Sequence, residues 1–512
     1  MLCEPAAHAW GDAQWLASRA ARQSRRAPIA IYELHAGSWR RHPDGRPYTW
    51  TELAEPLLEH VRTLGFTHVQ LMPVAEHPYD PSWGYQITGY FAPSARWGPP
   101  DALRAFVDTL HRGGVGVLLD WVPAHFPKDG HGLGRFDGTA LYEHPDPRRG
   151  EHPDWGTWVF DHARPEVQSF LLATVHYWLR SFHIDGLRVD AVASMLYLDY
   201  SRPAGAWLPN RHGGNWNLEA IAFFQHFNQF AHALEPGVIT VAEESTAFPQ
   251  VTGAVAAGGL GFDFKWNMGW MHDTLAYLAT DPLFRRHRHD TLCFAATYAY
   301  SEAFVLPLSH DEVVHLKGSL WRKMAAAPEQ KLAQLRQLFG YQWLHPGKKL
   351  LFMGAELAQE GEWNADTELP WRLAADPQRQ QLARWLAALN GLYRAHPALH
   401  AGDCEPDGFR WVEGADADAS VLVTERCGGG SCLVVVLHFT PILRADYWLP
   451  LPATGRWRWL LRSDHADFGG DRRKWPRPVT AKVGAAQRPI ARVDLPPYAV
   501  LVLQRLASGE AE

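Results

Sequence analysis

The sequence predicts an α/β protein: a (β/α)8 TIM barrel followed by a C-terminal antiparallel β-sandwich domain. Three observations carry this expectation. From Ile29 to about residue 396, short apolar runs alternate with longer amphipathic segments. Eight such runs can be found, separated by helical patterns or long excursions, which fits a closed barrel better than an open sheet. From about Pro397 the rhythm changes to strand-type runs without helical partners.

In chain order, residues 1–27 read as a linker or a remnant of an N-terminal region. Arg19, Arg22, Arg25 and Arg26 are expected to form a solvated helical face rather than an anion site. The barrel is placed at 28–396, with strands over Ile29–Leu34, His68–Val74, Val115–Val122, Gly186–Val192, Val238–Glu243, Phe262–Trp266, Phe304–Leu308 and Lys349–Met353. Helical periodicity marks Leu53–Leu64, Pro99–Arg112, Pro165–Phe182, Leu218–Leu234, Pro328–Trp343 and Gln378–Ala395. The connection at about 125–164 is rich in Gly, Pro, Asp and His. It is too irregular for a helix and too long for an idle loop, so it reads as an excursion over the barrel mouth. The segment 397–512 is the expected sandwich, with strands at Ser420–Thr424, Leu433–Phe439, Trp457–Leu461 and Ala499–Leu503. Cys427-Gly-Gly-Gly-Ser-Cys432 joins two of these strands and reads as a hairpin turn, not a redox motif.

Composition narrows the function. Of 512 residues, 20% are charged and 46% hydrophobic, as in ordinary globular proteins. A net charge of -6 gives no reason to expect a nucleic-acid or anionic-membrane partner. No uninterrupted apolar run approaches the ~18 residues of a membrane span. Five scattered cysteines and a start without a signal peptide's charged and apolar regions favour a cytoplasmic protein, expected to be a monomer. Most of the 24 tryptophans are expected in the core, but a surplus of indoles also suits stacking on sugar rings or bases.

The polar residues that stand out fall at strand ends, where barrels place their chemistry. The third strand ends in Asp120-Trp-Val-Pro-Ala-His125 and the fourth carries Arg188 and Asp190. The fifth ends in Glu243-Glu244 and the seventh in His310-Asp311-Glu312. On a strand, Arg188 and Asp190 share a face, so the arginine should orient the carboxylate, lower its pKa and keep it charged. His310-Asp-Glu-Val-Val-His315 superficially resembles a zinc site, but its histidines are five apart at a strand end, not four apart on a helix. Gly258-Gly-Leu-Gly261 leads into a strand and does not open a helix, which argues against a phosphate loop.

Together these strand ends resemble the four sequence regions of the α-amylase superfamily. Longer stretches are similar to the glycogen (1,4-α-glucan) branching enzymes: Ile31–Arg40, Ser82–Gln86, Arg188–Met195, Ala242–Thr246, Lys265–Asp273 and His310–His315. The resemblance runs from about residue 8 to the end, and the β-sandwich modules such enzymes usually carry before the barrel are not seen in this sequence. It implies Asp190 as nucleophile, Glu243 as general acid and base, and Asp311 as the residue that holds the 2- and 3-hydroxyls of a distorted sugar. It also implies that His125 and His310 bond the same sugar and that Tyr85 stacks on it. Arg188 would orient Asp190, with Asp120 and Glu312 as supporting residues. Ala124 stands where many α-amylases have a calcium-binding asparagine, so no metal and no cofactor is expected. The implied substrate is α-glucan, and the implied reaction is transfer of an α-1,4 segment to a 6-hydroxyl. A debranching or amylase-type hydrolase and an inactive glucan-binding protein are the alternatives.

Overall fold

The computed structural model describes residues 8–484 and 487–507. Eight parallel strands close a barrel: β1 (Ala30–Leu34), β2 (His68–Leu71), β3 (Gly116–Trp121), β4 (Gly186–Val189), β5 (Ile239–Ala242), β6 (Phe264–Trp266), β7 (Phe304–Leu308) and β8 (Lys348–Phe352). Each strand pairs with its neighbours in sequence, and β1 closes against β8. All eight lie close to the runs read from sequence. The fourth is shorter than expected, because the chain leaves the strand after Val189 and Ala191 turns into the left-handed region with φ 53°.

Inside the barrel, Ile31, Leu118, Ile239, Val241, Phe264, Trp266, Val305 and Leu350 pack together. Outside it runs the ring of helices α2 (Trp50–Leu64), α3 (Pro100–Arg112), α4 (Pro165–Ser181), α5 (Leu218–Leu234), α6 (Met268–Ala279), α7 (His289–Tyr298), α8 (Pro328–Leu344) and α9 (Pro377–Ala395). The start of α2 is fixed by a capping box in which Thr49 and Glu52 satisfy each other's backbone N–H. The 125–164 segment folds as expected into an excursion, with a small antiparallel sheet of His125–Phe126, Thr157–Val159 and Glu151–His152.

The expectation for residues 1–27 needs correction. A helix, α1 (Ala13–Arg22), lies across the barrel base; Arg22, Arg25 and Arg26 are exposed as expected, but Trp15, Arg19 and Gln23 are buried against the barrel. The Trp15 indole donates to Asp185 at 2.8 Å, and the Gln23 amide donates to the carbonyls of Asp185 and Gly237. Arg19 is buried and pairs with Glu235 at 2.8 Å, while Arg25 donates to the Thr252 carbonyl at 2.7 Å. Long polar side chains read as surface residues here because their partners lie some 160–230 positions away in the chain.

Eight further strands form the C-terminal antiparallel sheet: β9 (Phe409–Glu413), β10 (Val421–Gly428), β11 (Ser431–His438), β12 (Arg444–Pro450), β13 (Gly455–Arg462), β14 (Val479–Val483), β15 (Pro489–Leu495) and β16 (Val500–Arg505). Their order is β9-β10-β11-β16-β13-β14-β15-β12. Both faces of its central strands are buried. Val421, Val423, Val434 and Val436 enter the sheet's own core, and Leu422, Val435, Leu437 and Val500 join the barrel core. Gly340 of α8 makes this contact possible, since a Cβ there would sit 2.7 Å from the Val500 side chain. The Cys427–Cys432 segment is a hairpin, as read, and the two cysteines are disulfide-bonded across it. Among the described residues, no helix is long and apolar enough to cross a membrane.

Candidate active site

The strand register brings the polar strand ends together. Asp120 of β3 lies opposite Arg188 of β4, and Val189 lies opposite Ala242 of β5. Asp190 and Glu243 therefore leave the barrel side by side. The ladder carries on through Asp190 N–H to the Trp121 carbonyl at 2.9 Å and Glu243 N–H to the Val189 carbonyl at 3.0 Å.

Arg188 is the hub of the site. It is 1% exposed, lies over the Trp266 ring at 4.4 Å and reaches three carboxylates with one guanidinium. One nitrogen donates to Asp120 at 2.6 and 2.7 Å and to Asp190 Oδ1 at 2.8 Å. The other meets Glu243 Oε2 at 2.9 Å. The left-handed turn at Ala191 aims its N–H at the same Glu243 oxygen, at 2.8 Å. Asp190 Oδ2 stays free of the arginine, with His125 Nε2 at 4.0 Å.

Across the mouth, His310 is anchored by Glu33, which accepts from its backbone N–H and faces Nδ1, both at 2.9 Å. His310 Nε2 lies 3.4 Å from Asp311 Oδ1 and 3.3 Å from the Tyr85 hydroxyl, which donates to Asp120 at 2.7 Å. Tyr85 is carried into the mouth by a turn with positive φ at Trp83 and Gly84. A Cβ on Gly84 would lie 2.3 Å from the Pro73 carbonyl oxygen, so only glycine fits. The cleft holds about 390 Å³, with Asp190, Glu243 and Asp311 exposed to it among aromatic walls.

Comparison with known proteins shows the family and the fold. A family model for the alpha-amylase C-terminal all-beta domain matches residues 411–505. Two solved α-amylases share the fold, from Geobacillus thermoleovorans in complex with acarbose (TM-score 0.69, 18% identity, 95% of this chain and 99% of that one) and from Anoxybacillus (0.68, 16%, 94% and 99%). A 1,4-alpha-glucan branching enzyme of Dechloromonas aromatica is 53% identical over 504 residues, covering 98% of this chain and 81% of that protein. The chain belongs to the 1,4-alpha-glucan branching enzyme family. Two more members are similar, from Ralstonia nicotianae (53% identical, 98% of this chain) and Burkholderia thailandensis (57%, 92%). Of these two branching enzymes the chain spans only 66% and 57% of the length.

Eight of the nine residues singled out in sequence lie at or just behind this mouth, the exception being Glu312. Glu312 is buried, does not line the cleft, and has its carboxyl pushed up by burial. Glu244, next to Glu243, is fully buried and pairs with Lys265 at 2.6 Å, so only Glu243 faces the cleft. Among the cleft residues not singled out in sequence are Trp83, Trp155, Tyr200 and His315. Trp155 stacks on His152 at 3.6 Å and touches His125 at 4.9 Å, while Trp83 stacks on His315 at 5.3 Å. The surplus of tryptophans was a signal for Trp83 and Trp155, and Trp83 and His315 lie inside stretches that carried the resemblance. Glu33 was missed as well, because a single acid in an apolar strand carries no label.

The electrostatics correct one expectation. Burial pushes the Asp190 carboxyl well up, against the pull of Arg188, and Glu243, Asp120 and Asp311 add to the rise. Asp120 is likewise raised by burial, to about 6, with Arg188 opposing. One buried cation thus faces three carboxylates, and burial together with their mutual repulsion works against its pull. Arg188 alone does not hold Asp190 low. For Asp311, burial raises the carboxyl, but His310 and Arg188 outweigh it and the net direction is down. His310 moves up to about 9, since Asp311 and Glu33 overcome burial, and His125 is held neutral by burial at about 3.

Proposed function

We propose that this chain cleaves an α-1,4 glucosidic bond with retention and transfers the freed glucan segment to a 6-hydroxyl, making an α-1,6 branch. The observation that carries the reading is the shared guanidinium: Arg188 bonds Asp190 and Glu243 with neighbouring nitrogens, at 2.8 and 2.9 Å. The two acids leave adjacent strands, which lie about 4.8 Å apart. That favours the ~5–5.5 Å carboxyl spacing of retaining enzymes over the ~6.5–9.5 Å of inverting ones.

The proposed step needs Glu243 as the proton donor and Asp190 as the carboxylate. Asp190 Oδ2, the oxygen Arg188 leaves free, attacks the anomeric carbon as Glu243 gives its proton to the departing 4-oxygen. A covalent glucosyl ester on Asp190 results. Glu243, now a carboxylate, takes the proton of an acceptor 6-hydroxyl, whose oxygen attacks the same carbon and frees Asp190. Asp311 and His310 hold the hydroxyls of that sugar, neutral His125 bonds it from the other side, and Tyr85 stacks below. Asp120 supports Arg188.

The partner is α-glucan, and the working form is a cytoplasmic monomer with free thiols at Cys293 and Cys404. Light scattering tests the monomer, and the redox state of Cys427 and Cys432 in cells tests the location. The decisive experiment for the activity uses amylose. The iodine colour should fall while few reducing ends appear; abundant new reducing ends would make the chain a hydrolase.

A further inference from the structure

A second cavity lies at the barrel base, on the end opposite the cleft. It holds about 670 Å³ and is bounded by Arg22 and Arg26 at and beyond the end of α1, Arg62 in the last turn of α2 and Arg394 in the last turn of α9. Trp15 and His68 also line it, and no Asp or Glu does. Arg26 is paired to Glu405 at 2.9 Å, and Arg22 donates to the Ser18 hydroxyl at 3.0 Å while resting over the Trp15 ring. The guanidinium groups of Arg62 and Arg394 have no partner among the described residues.

Four guanidinium groups around one concavity repel each other, and an anion relieves that repulsion. Their planar donor forks match phosphate oxygens two at a time, which a lysine cluster would not do. The volume lies within the roughly 300–1,000 Å³ of small-molecule sites. A single concavity on a protein of net charge -6 offers no extended basic track for a nucleic-acid backbone. His68 adds no charge, because burial holds it neutral at about 4 and both ring nitrogens are engaged, by Thr67 and Gln23.

We propose that this cavity binds a small phosphate-bearing anion with more than one phosphate, of the diphosphate type. The arginines come from three separate stretches of chain, so the bound anion cross-links the α1 segment, α2 and α9. Binding is therefore read as resistance to unfolding.

The test is calorimetry and thermal unfolding of the whole chain with inorganic pyrophosphate, at an ionic strength matched with sodium chloride. One pyrophosphate should bind per chain and raise the melting temperature. In the double variant Arg62→Ser/Arg394→Ser, binding should weaken by on the order of tenfold for each arginine removed. Both side chains are exposed, so the variant should fold, and its melting temperature without pyrophosphate checks this. Arg473→Ser, exposed in the connection between β13 and β14, should bind as the parent does. An equal response in parent and double variant, or a shift that sodium chloride reproduces, overturns the proposal. Orthophosphate binding as tightly as pyrophosphate overturns its multi-phosphate part.

Discussion

The two ends of the barrel both bury charge, and they do so in opposite ways. At the base, Asp185 is completely buried and every oxygen has a fixed partner. The Trp15 indole donates to one oxygen at 2.8 Å, while His111 Nε2 at 2.8 Å and the Val117 N–H at 2.7 Å meet the other. His111 Nδ1 reaches Asp12 at 2.9 Å, and His183 meets the same oxygen at 2.8 Å. Burial works against a charged His111, but Asp185 and Asp12 more than offset it and hold it up at about 9. Charges there are balanced and locked. At the mouth, one arginine serves three carboxylates, Asp190 leaves an oxygen unbonded, and Asp311 is about a third exposed. An unbalanced cluster costs stability, and barrels carry such clusters where they react with something. The contrast fits the proposed division, with stability at the base and chemistry at the mouth.

The largest effect should come from Asp190→Asn. Turnover should fall by about 10⁴-fold or more, because the covalent route is lost. Removing one of three like charges around Arg188 should leave the melting temperature unchanged or higher. Branch formation and thermal unfolding measured on one preparation check both halves. A variant that is both dead and strongly destabilised would place Asp190 with the structural residues and break the contrast.

What could be read from sequence follows the same division. The strands were legible because each is a short apolar run between polar segments. The strand-end acids were legible because charges in such a setting stand out. The base network was not, since Asp12, His111 and Asp185 sit at helix and strand edges where surface residues are common, and nothing local ties them together. Their contacts span 99 and 74 positions. The left-handed turn at Ala191 was also hidden, as a continuous apolar run hid the place where the strand ends. In the C-terminal sheet, β12 escaped because mixed exposure breaks its alternation. The aromatic walls of the cleft came from excursions whose folds local sequence does not dictate.

The second prediction turns to the base. Asp185→Asn removes a buried charge from among fixed partners and leaves His111 without its nearer counter-ion. Breaking a buried pair this way costs about 3–5 kcal/mol. Denaturant unfolding should show that loss, while turnover per folded molecule should stay within about twofold. A drop in turnover without a drop in stability would mean the two ends are coupled.

The smallest of the three effects concerns pH, and it tests whether His111 is charged in the folded protein. Its folded value of about 9 lies above the unfolded ~6.5. Its contribution is therefore fully present below about pH 6.5 and is lost as the pH rises toward 9. Asp12 and Asp185 act oppositely: His111 helps hold both below their ordinary value against burial, so their contribution is present above ~3.8 and is lost in acid. Lifting a buried histidine by that amount corresponds to roughly 3 kcal/mol. His310 at the mouth is also raised to about 9, and His232 is raised beside Asp263, so the parent's decline between pH 6.5 and 9 contains more than one group. The variant His111→Gln separates them. Its stability should fall less steeply across that window, by about 1.4 kcal/mol per pH unit at the middle, the slope of one proton. An unchanged slope would mean that His111 is neutral in the fold and that the base is held by hydrogen bonds alone.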